Sequence, residues 1–280
     1  MKATSERSIH LCHENGDWMS HLPENLWDVP LHNLSLPGSH DTMTYCLDKN
    51  SDISVNESKL LQLIDKFMPC IIHPIIMKWS ITQVLNVSEQ LDAGIRYLDF
   101  RIAHKPNDPS VNLYFVHMVY TTAVVEVVPT LRNMWTCGYQ VIISYEDVTE
   151  VMKHHELWPA IPYWWGNKTT TQDLIQYLEQ MKQNGRPASF FVAGINLTED
   201  LEYILAHPFG SLKKMTLSNF PHLKLWIKQQ YPGPKSNCIN IIAGDFIEND
   251  DFVNDVIELN KKIIPLLHYR GNETELKDVS

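Results

Sequence analysis

Two histidines, one arginine and three aspartates end separate apolar stretches of this chain, and as a set they suit acid–base chemistry at a phosphate. The first stretch is Leu36-Pro37-Gly38-Ser39-His40-Asp41, a sharp turn closing on a histidine and an acid. Tyr97-Leu98-Asp99-Phe100-Arg101, Tyr114-Phe115-Val116-His117 and Ile241-Ile242-Ala243-Gly244-Asp245 answer it later in the chain. Cleaving a phosphodiester beside a hydroxyl takes a base for the hydroxyl proton, an acid for the leaving oxygen and positive charge on the equatorial oxygens. Histidine, with a pKa near neutrality, serves both proton transfers, so His40 and His117 are the candidates.

Asp99 and Arg101 are two residues apart, and on a strand that spacing points both side chains to one face. A guanidinium offers planar, paired donors to phosphate. Arg101 also stands where a metal-dependent enzyme would want a carboxylate, so no metal is expected. Asp245 is placed to orient one histidine and stabilise its protonated form. Taken singly these residues have plainer readings: Asp99 with Arg101 makes a strand-end ion pair, and Gly244-Asp245 makes a turn. Their order along the chain points to a shared site.

Strands are needed to bring them together. They are expected at 33–36, 95–102, 113–118, 141–145, 190–193 and 239–243, short and apolar as parallel strands are. Helices are expected at 56–67, at 81–93 between a Ser80 cap and a Gly94 stop, at 171–183 and at 251–262. A tryptophan-rich loop covers 158–165. Alternating strands and helices imply a parallel sheet, and in a closed parallel barrel the chemistry collects at the carboxyl ends of the strands. His40, Arg101, His117, Tyr145, Asn196 and Asp245 all fall at or just after such ends.

At 280 residues, 44% of them apolar and 20% charged, the chain suits one α/β barrel with a sizeable core. That domain is expected at 17–264, between a polar segment 1–16 and a charged tail 265–280. A net charge of -10 argues against a nucleic-acid partner and against bulk adhesion to anionic lipid. No run approaches the roughly 18 apolar residues of a membrane span. The N-terminus lacks the apolar core of a secretory signal, so a cytoplasmic protein is expected. Cys12, Cys46, Cys70, Cys137 and Cys238 are odd in number and form no Cys-x-x-Cys pair, which suggests neither a disulfide framework nor a zinc site.

The segments 36–45, 93–101, 114–117 and 244–247, followed by 255–262, resemble the X domain of phosphatidylinositol-specific phospholipase C, in that family's order and over nearly the whole of 17–262. Trp27-Asp28-Val29-Pro30-Leu31-His32 and Tyr163-Trp164-Trp165-Gly166-Asn167 are similar to its small X-domain-containing branch. The resemblance implies a TIM barrel acting on a phosphoinositide or related glycerophospholipid to release diacylglycerol and an inositol cyclic phosphate. It implies that His40 is the general base for the inositol 2-hydroxyl, His117 the general acid for the diacylglycerol oxygen, and Arg101 the phosphate ligand. Asp245 would support His40, and Asp41 would lie beside the attacked phosphate. Larger eukaryotic relatives place acidic calcium ligands where Arg101 stands, so the resemblance sides with the calcium-independent type. Asp99, Tyr145 and Asn196 are the substrate-binding candidates.

The chain departs from the family in two places. Gly194 and Asn196 stand where bacterial members carry an acid and a tyrosine that hold the inositol ring. Relatives also pass through a helix, a strand and another helix before the strand matching 141–145. Only 118–140 intervene here, and one parallel crossover alone needs a dozen or more residues. A barrel lacking a βα unit after His117, with unpaired strand edges, is expected. The alternative reading is a catalytically impaired lipid-binding or regulatory variant. Trp164 and Trp165, with Tyr163 and Met118-Val119-Tyr120, are expected to rim the barrel mouth and touch the membrane surface transiently.

Overall fold

The structure, a computed structural model, describes residues 15–105, 108, 112–124, 144–146, 148–154 and 157–264. The expected tail 265–280, most of the polar segment 1–16, the start of the expected strand 141–145, Cys12 and Cys137 lie outside the described residues.

The strands are β1 (Leu36–Ser39), β2 (Tyr97–Leu98), β3 (Ile102–His104), β4 (Leu113–His117), β5 (Val119–Val124), β6 (Ser144–Tyr145), β7 (Trp158–Pro159), β8 (Tyr163–Trp164), β9 (Val192–Gly194) and β10 (Ile241–Gly244). Five form a parallel sheet in the order β2-β1-β10-β9-β8. The last strand therefore pairs with the first, Leu36 opposite Ile241 and Ser39 opposite Gly244, as in a barrel whose chain ends meet. The sheet stops at β2 on one side and β8 on the other, so among the described residues the barrel is not closed.

Period-two alternation sorts the side chains of this sheet into two layers. Val192, Ile241 and Ala243 face an inner cluster with Leu36, joined by Tyr97 and Tyr163. Trp164, Ala193 and Ile242 face the opposite way, into a cluster with Leu174, Leu178, Phe220, Leu223 and Val256 from the covering helices. Those helices are Thr171–Asn184, Leu212–Gln229 and Phe252–Glu258. Thr170 and Ser211 cap the first two by accepting backbone N–H groups in the first turn.

Several elements differ from expectation for identifiable reasons. The first strand lies at Leu36–Ser39 rather than 33–36, because Pro37-Gly38, a turn signal by composition, sits inside it. A Cβ on Gly38 would come within 2.9 Å of Tyr97 Cδ1, so the glycine serves strand packing. β4 runs antiparallel to both of its neighbours, β3 and β5, rather than in a parallel sheet. The loop between His104 and Leu113 is too short for a parallel crossover, and Met118, at φ 58, turns the chain straight back after His117. The loop expected at 158–165 contains β7 and β8.

The helix expected at 81–93 forms only at Val87–Asp92, behind an Asn86–Glu89 capping box. Ser80 ends the helix Pro69–Ser80 instead of starting one. Thr82 and Gln83 are fully buried and hold the loop at the end of β1, and that tertiary role overrides their local propensity. Helices Pro69–Ser80 and Leu212–Gln229 were not anticipated; each contains an internal proline, Pro74 or Pro221, which reads as a break in sequence.

Candidate active site

The pairing of β1 with β10 sets His40 beside Asp245. The His40 backbone N–H donates to the Gly244 carbonyl at 3.1 Å, and His40 Nδ1 lies 2.8 Å from Asp245 Oδ1. A carboxylate only accepts, so Nδ1 carries the proton and Nε2 is the free base. Both side chains are buried. Burial pulls the imidazole pKa down, but Asp41 and Asp245 together outweigh it, and the result lies above the ordinary value of 6.5.

Nε2 faces two further groups. Arg101 Nη2 donates to it at 3.0 Å, and Asp41 Oδ2 is 3.1 Å away. Neutral His40 thus accepts from Arg101, and the imidazolium has Asp41 to donate to. Arg101 also pairs through Nε with Asp41 Oδ1 at 3.1 Å and through Nη2 with Asp99 Oδ2 at 3.2 Å. Burial works against its charge, but these two acids more than restore it and raise its pKa. The two-residue spacing of Asp99 and Arg101 therefore delivers both to one face. Phe100, between them, packs on Phe115 at 5.4 Å between centroids.

Nitrogen and oxygen atoms of His40, Asp41 and Asp99 lie within 4.8 Å of one another, the one such cluster among the described residues. This donor set does not fit calcium, which takes six to eight oxygens. It supplies one imidazole, already bound on Nδ1 by Asp245, and two carboxylates that both face the Arg101 guanidinium.

His117 reaches the same place from the antiparallel sheet. Its Nδ1 donates at 2.7 Å to the carbonyl of Ser80, the last residue of helix Pro69–Ser80. Its Nε2 lies 3.4 Å from Asp41 Oδ2, so one carboxylate oxygen stands between the two imidazoles, whose centroids are 6.0 Å apart. Thr82 and Gln83 donate to the His40 carbonyl at 3.0 and 2.9 Å, and Gln83 also donates to the Gly244 carbonyl at 3.0 Å. The residues following His40, His117 and Asp245 are Asp41 (φ 43), Met118 (φ 58) and Phe246 (φ 51), all left-handed without being glycine. Such backbone costs on the order of 1–3 kcal/mol per residue and gathers at functional sites.

The structure thus brings together His40, Asp41, Asp99, Arg101, His117 and Asp245, and Asp41, Asp99, Arg101 and His117 line a shared recess. Tyr145 is exposed on the separate β6–β7 pair. Asn196 is buried and accepts from the Tyr163 hydroxyl at 3.0 Å. Trp164 does not rim the mouth: it is 2% exposed and packs on Phe191 in the core, because strand alternation turns it away from Tyr163. Val119 and Tyr120 are fully buried as well, whereas Trp165 is half exposed and donates to Thr198 Oγ1.

Three more groups stand beside the site: Tyr163, expected at the rim, and two glutamates that the sequence did not point to. Tyr163 lies 6.2 Å from the His40 ring, and burial with Asp99 and Tyr97 nearby drives its hydroxyl pKa well up. Burial, reinforced by Asp245, pushes the Glu199 carboxyl up to about 8. Burial raises Glu57 too, against the pull of His117. The two glutamates carry no local signal.

No family model matches the chain. It is 52% identical to human PI-PLC X domain-containing protein 1, over 91% of this chain and 95% of that protein. It is 46% identical to the mouse protein of that name, over 90% and 88%. The human alignment runs over 308 positions, of which this chain's 91% fills all but about fifty, so about fifty positions of the relative have no counterpart in this chain. Among solved structures, a phosphatidylinositol-specific phospholipase C from Staphylococcus aureus with an incorporated pentafluoro-Phe aligns at a TM-score of 0.56 with 13% identity, over 89% of this chain and 99% of that one. A second structure of the same enzyme, solved in connection with its membrane binding, gives 0.55 with 13% identity over the same shares. That likeness is one of fold, and this chain takes an incomplete form of that TIM barrel. With relatives at 52% and 46% identity over nine-tenths of its length, the chain belongs to the family of PI-PLC X domain-containing proteins.

Proposed function

We propose that this chain is a phosphoric diester hydrolase of the phosphatidylinositol phospholipase C type, working without calcium. The observation that carries the reading is the single Asp41 oxygen held between two imidazoles, with Arg101 beside it at His40 Nε2 and Asp245 on the far side at Nδ1. His40 Nε2 takes the proton of the inositol 2-hydroxyl, and that oxygen attacks phosphorus. The bond from phosphorus to the glycerol oxygen breaks, and His117 Nε2–H supplies the proton to diacylglycerol. Asp245 balances the charge on His40, and Arg101, released from Asp41 or Asp99, holds the phosphoryl oxygens. Asp99, which lines the same recess, is the group placed to meet the headgroup.

Substrate is met at a membrane surface. No helix of the described residues is long and apolar enough to cross a membrane. Leu60, Leu63, Phe67, Met68 and Ile71 are exposed together where helices Lys59–Phe67 and Pro69–Ser80 meet, and exposed Lys59 and Lys66 flank them. An apolar face with basic flanks suits the headgroup boundary, and it takes over the role expected of Trp164.

The test is phosphorus NMR on phosphatidylinositol in mixed micelles with a calcium chelator. Appearance of an inositol cyclic phosphate supports the reading, and no product from folded protein removes it. A catalytically impaired, lipid-binding role is the second reading. It is favoured by the missing segment and by the open edges at β2 and β8, and headgroup binding without turnover would select it.

A further inference from the structure

Four consecutive residues, 80–83, reach the His117 ring and the backbone on either side of both His40 and Asp245. The Ser80 carbonyl accepts from His117 Nδ1 at 2.7 Å. Thr82 and Gln83, both fully buried, face the ends of β1 and β10. Gln83 Nε2 donates to the His40 carbonyl at 2.9 Å and to the Gly244 carbonyl at 3.0 Å, so one amide spans the two strand ends. Thr82 Oγ1 lies 3.0 Å from the His40 carbonyl and 3.1 Å from that of Asp41, and the Thr82 carbonyl accepts from the Phe246 N–H at 2.7 Å. Asp245 is thus bracketed by bonds to both of its chain neighbours, and the left-handed residues Asp41 and Phe246 are both tied to Thr82.

Thr44 sets the direction of this clasp. Its Oγ1 accepts the Thr82 and Gln83 N–H groups at 3.0 and 2.9 Å, which occupies both lone pairs. Its own proton therefore goes to Thr82 Oγ1, 2.7 Å away, and the Thr82 proton goes on to the carbonyls of His40 and Asp41. His117 belongs to the β3–β4–β5 sheet, which is separate from the sheet that ends in His40 and Asp245. Residues 80–83 bond to both.

We propose that Thr82 and Gln83 are positioning residues for the hydrolysis, holding the His40–Asp245 pair in register and setting it against His117. The assignment rests on the hydrolase reading for its reaction and on the geometry for its residues. Proton transfer needs its partners in place, and a displacement of about 1 Å can cost about 10²-fold in rate. In a closed barrel every strand end is restrained by neighbours on both sides. Here the sheet stops at β2 and β8, and the clasp restrains the ends of β1 and β10 from a buried loop instead.

The experiment uses the full chain as wild type, Thr82→Val, Thr82→Ser and Gln83→Met, each shown by cooperative thermal unfolding to be folded. Val keeps the shape of Thr without the hydroxyl, Ser keeps the hydroxyl, and Met keeps the length of Gln without its donors. Two quantities are read: the titration midpoint of His40 by proton NMR, assigned against His40→Ala, and kcat and KM on phosphatidylinositol in mixed micelles. The charged and titratable groups around His40 are Asp41, Asp245, Arg101, His117, Tyr163 and Glu199. The clasp holds the backbone of the two acids that raise its pKa, Asp41 and Asp245. The midpoint is therefore expected to fall in Thr82→Val and Gln83→Met and to stay in place in Thr82→Ser. In the first two kcat is expected to drop about tenfold to a hundredfold with KM within about threefold, and Ser to keep the wild-type rate. Folded Val and Met variants with the wild-type midpoint overturn the assignment, as does an unchanged kcat or a Ser variant as impaired as Val. If the midpoint falls as expected but wild type does not turn over phosphatidylinositol, the two residues still position the pair and it is the hydrolase reading that fails.

Discussion

His40 Nδ1 and Asp245 Oδ1 meet at 2.8 Å across 205 residues of sequence. The contact exists because the last parallel strand pairs with the first, and it persists although the barrel is incomplete. Asp245→Asn keeps the shape and removes the charge. Activity should fall by about 10²–10⁴-fold, the range of a lost acid–base partner.

The pH profile follows from the same pair. A base must be unprotonated, and His40 titrates above 6.5, so kcat/KM should rise through a limb above that value. Asp245→Asn should move the limb to lower pH, because one of the two anions holding the proton is gone. An unmoved limb would assign it to another group.

Stability should fall as pH rises. His40 and Glu199 both have folded pKa values above their ordinary ones, so the folded state holds more protons. For Glu199 the loss begins near its ordinary value of 4.5 and runs through about 8. Glu199→Gln should match wild type in thermal unfolding at pH 4 and exceed it on the order of 3 kcal/mol at pH 9. Equal curves at pH 9 would place Glu199 in water.

Arg101 neutralises two acids, and Asp41 is buried. Arg101→Ala should cost about 2 kcal/mol, less than a fully buried pair because the guanidinium is partly exposed. Two carboxylates and an imidazole already held on Nδ1 still make no calcium site, so calcium should leave the melting temperature of both the variant and wild type unchanged.

Phe67, 74% exposed, lies beside Leu63 and Ile71 on the apolar face. Phe67→Asp with Leu63→Asp should weaken sedimentation with phosphatidylinositol vesicles about tenfold or more and leave hydrolysis of a soluble short-chain substrate intact.

What sequence reasoning recovered, and what it missed, divides by locality. His40-Asp41, Asp99-x-Arg101 and Gly244-Asp245 carry their signals within a few residues, at ends of apolar strands, and the structure gathers all of them. The missing segment showed as a distance too short for a crossover. The misassigned stretches are those where tertiary demands overrule local signals. Pro37-Gly38 is a strand because Tyr97 needs the space, and Thr82-Gln83 leave the helix to hold His40. Trp164, expected at the rim beside Tyr163, is buried because an edge strand of two residues is too short to show its alternation. Glu199 owes its raised pKa to burial and to Asp245, 46 residues downstream, which no local pattern records.

The central claim is that His40 is the base of a working site. The direct measurement is release of water-soluble inositol phosphate from phosphatidylinositol vesicles, with calcium chelated, by wild type and by a folded His40→Ala. Steady release by wild type and loss of at least a hundredfold in the variant is the result expected for a lost general base. Release that survives the substitution, or wild type that binds vesicles and releases nothing, contradicts it.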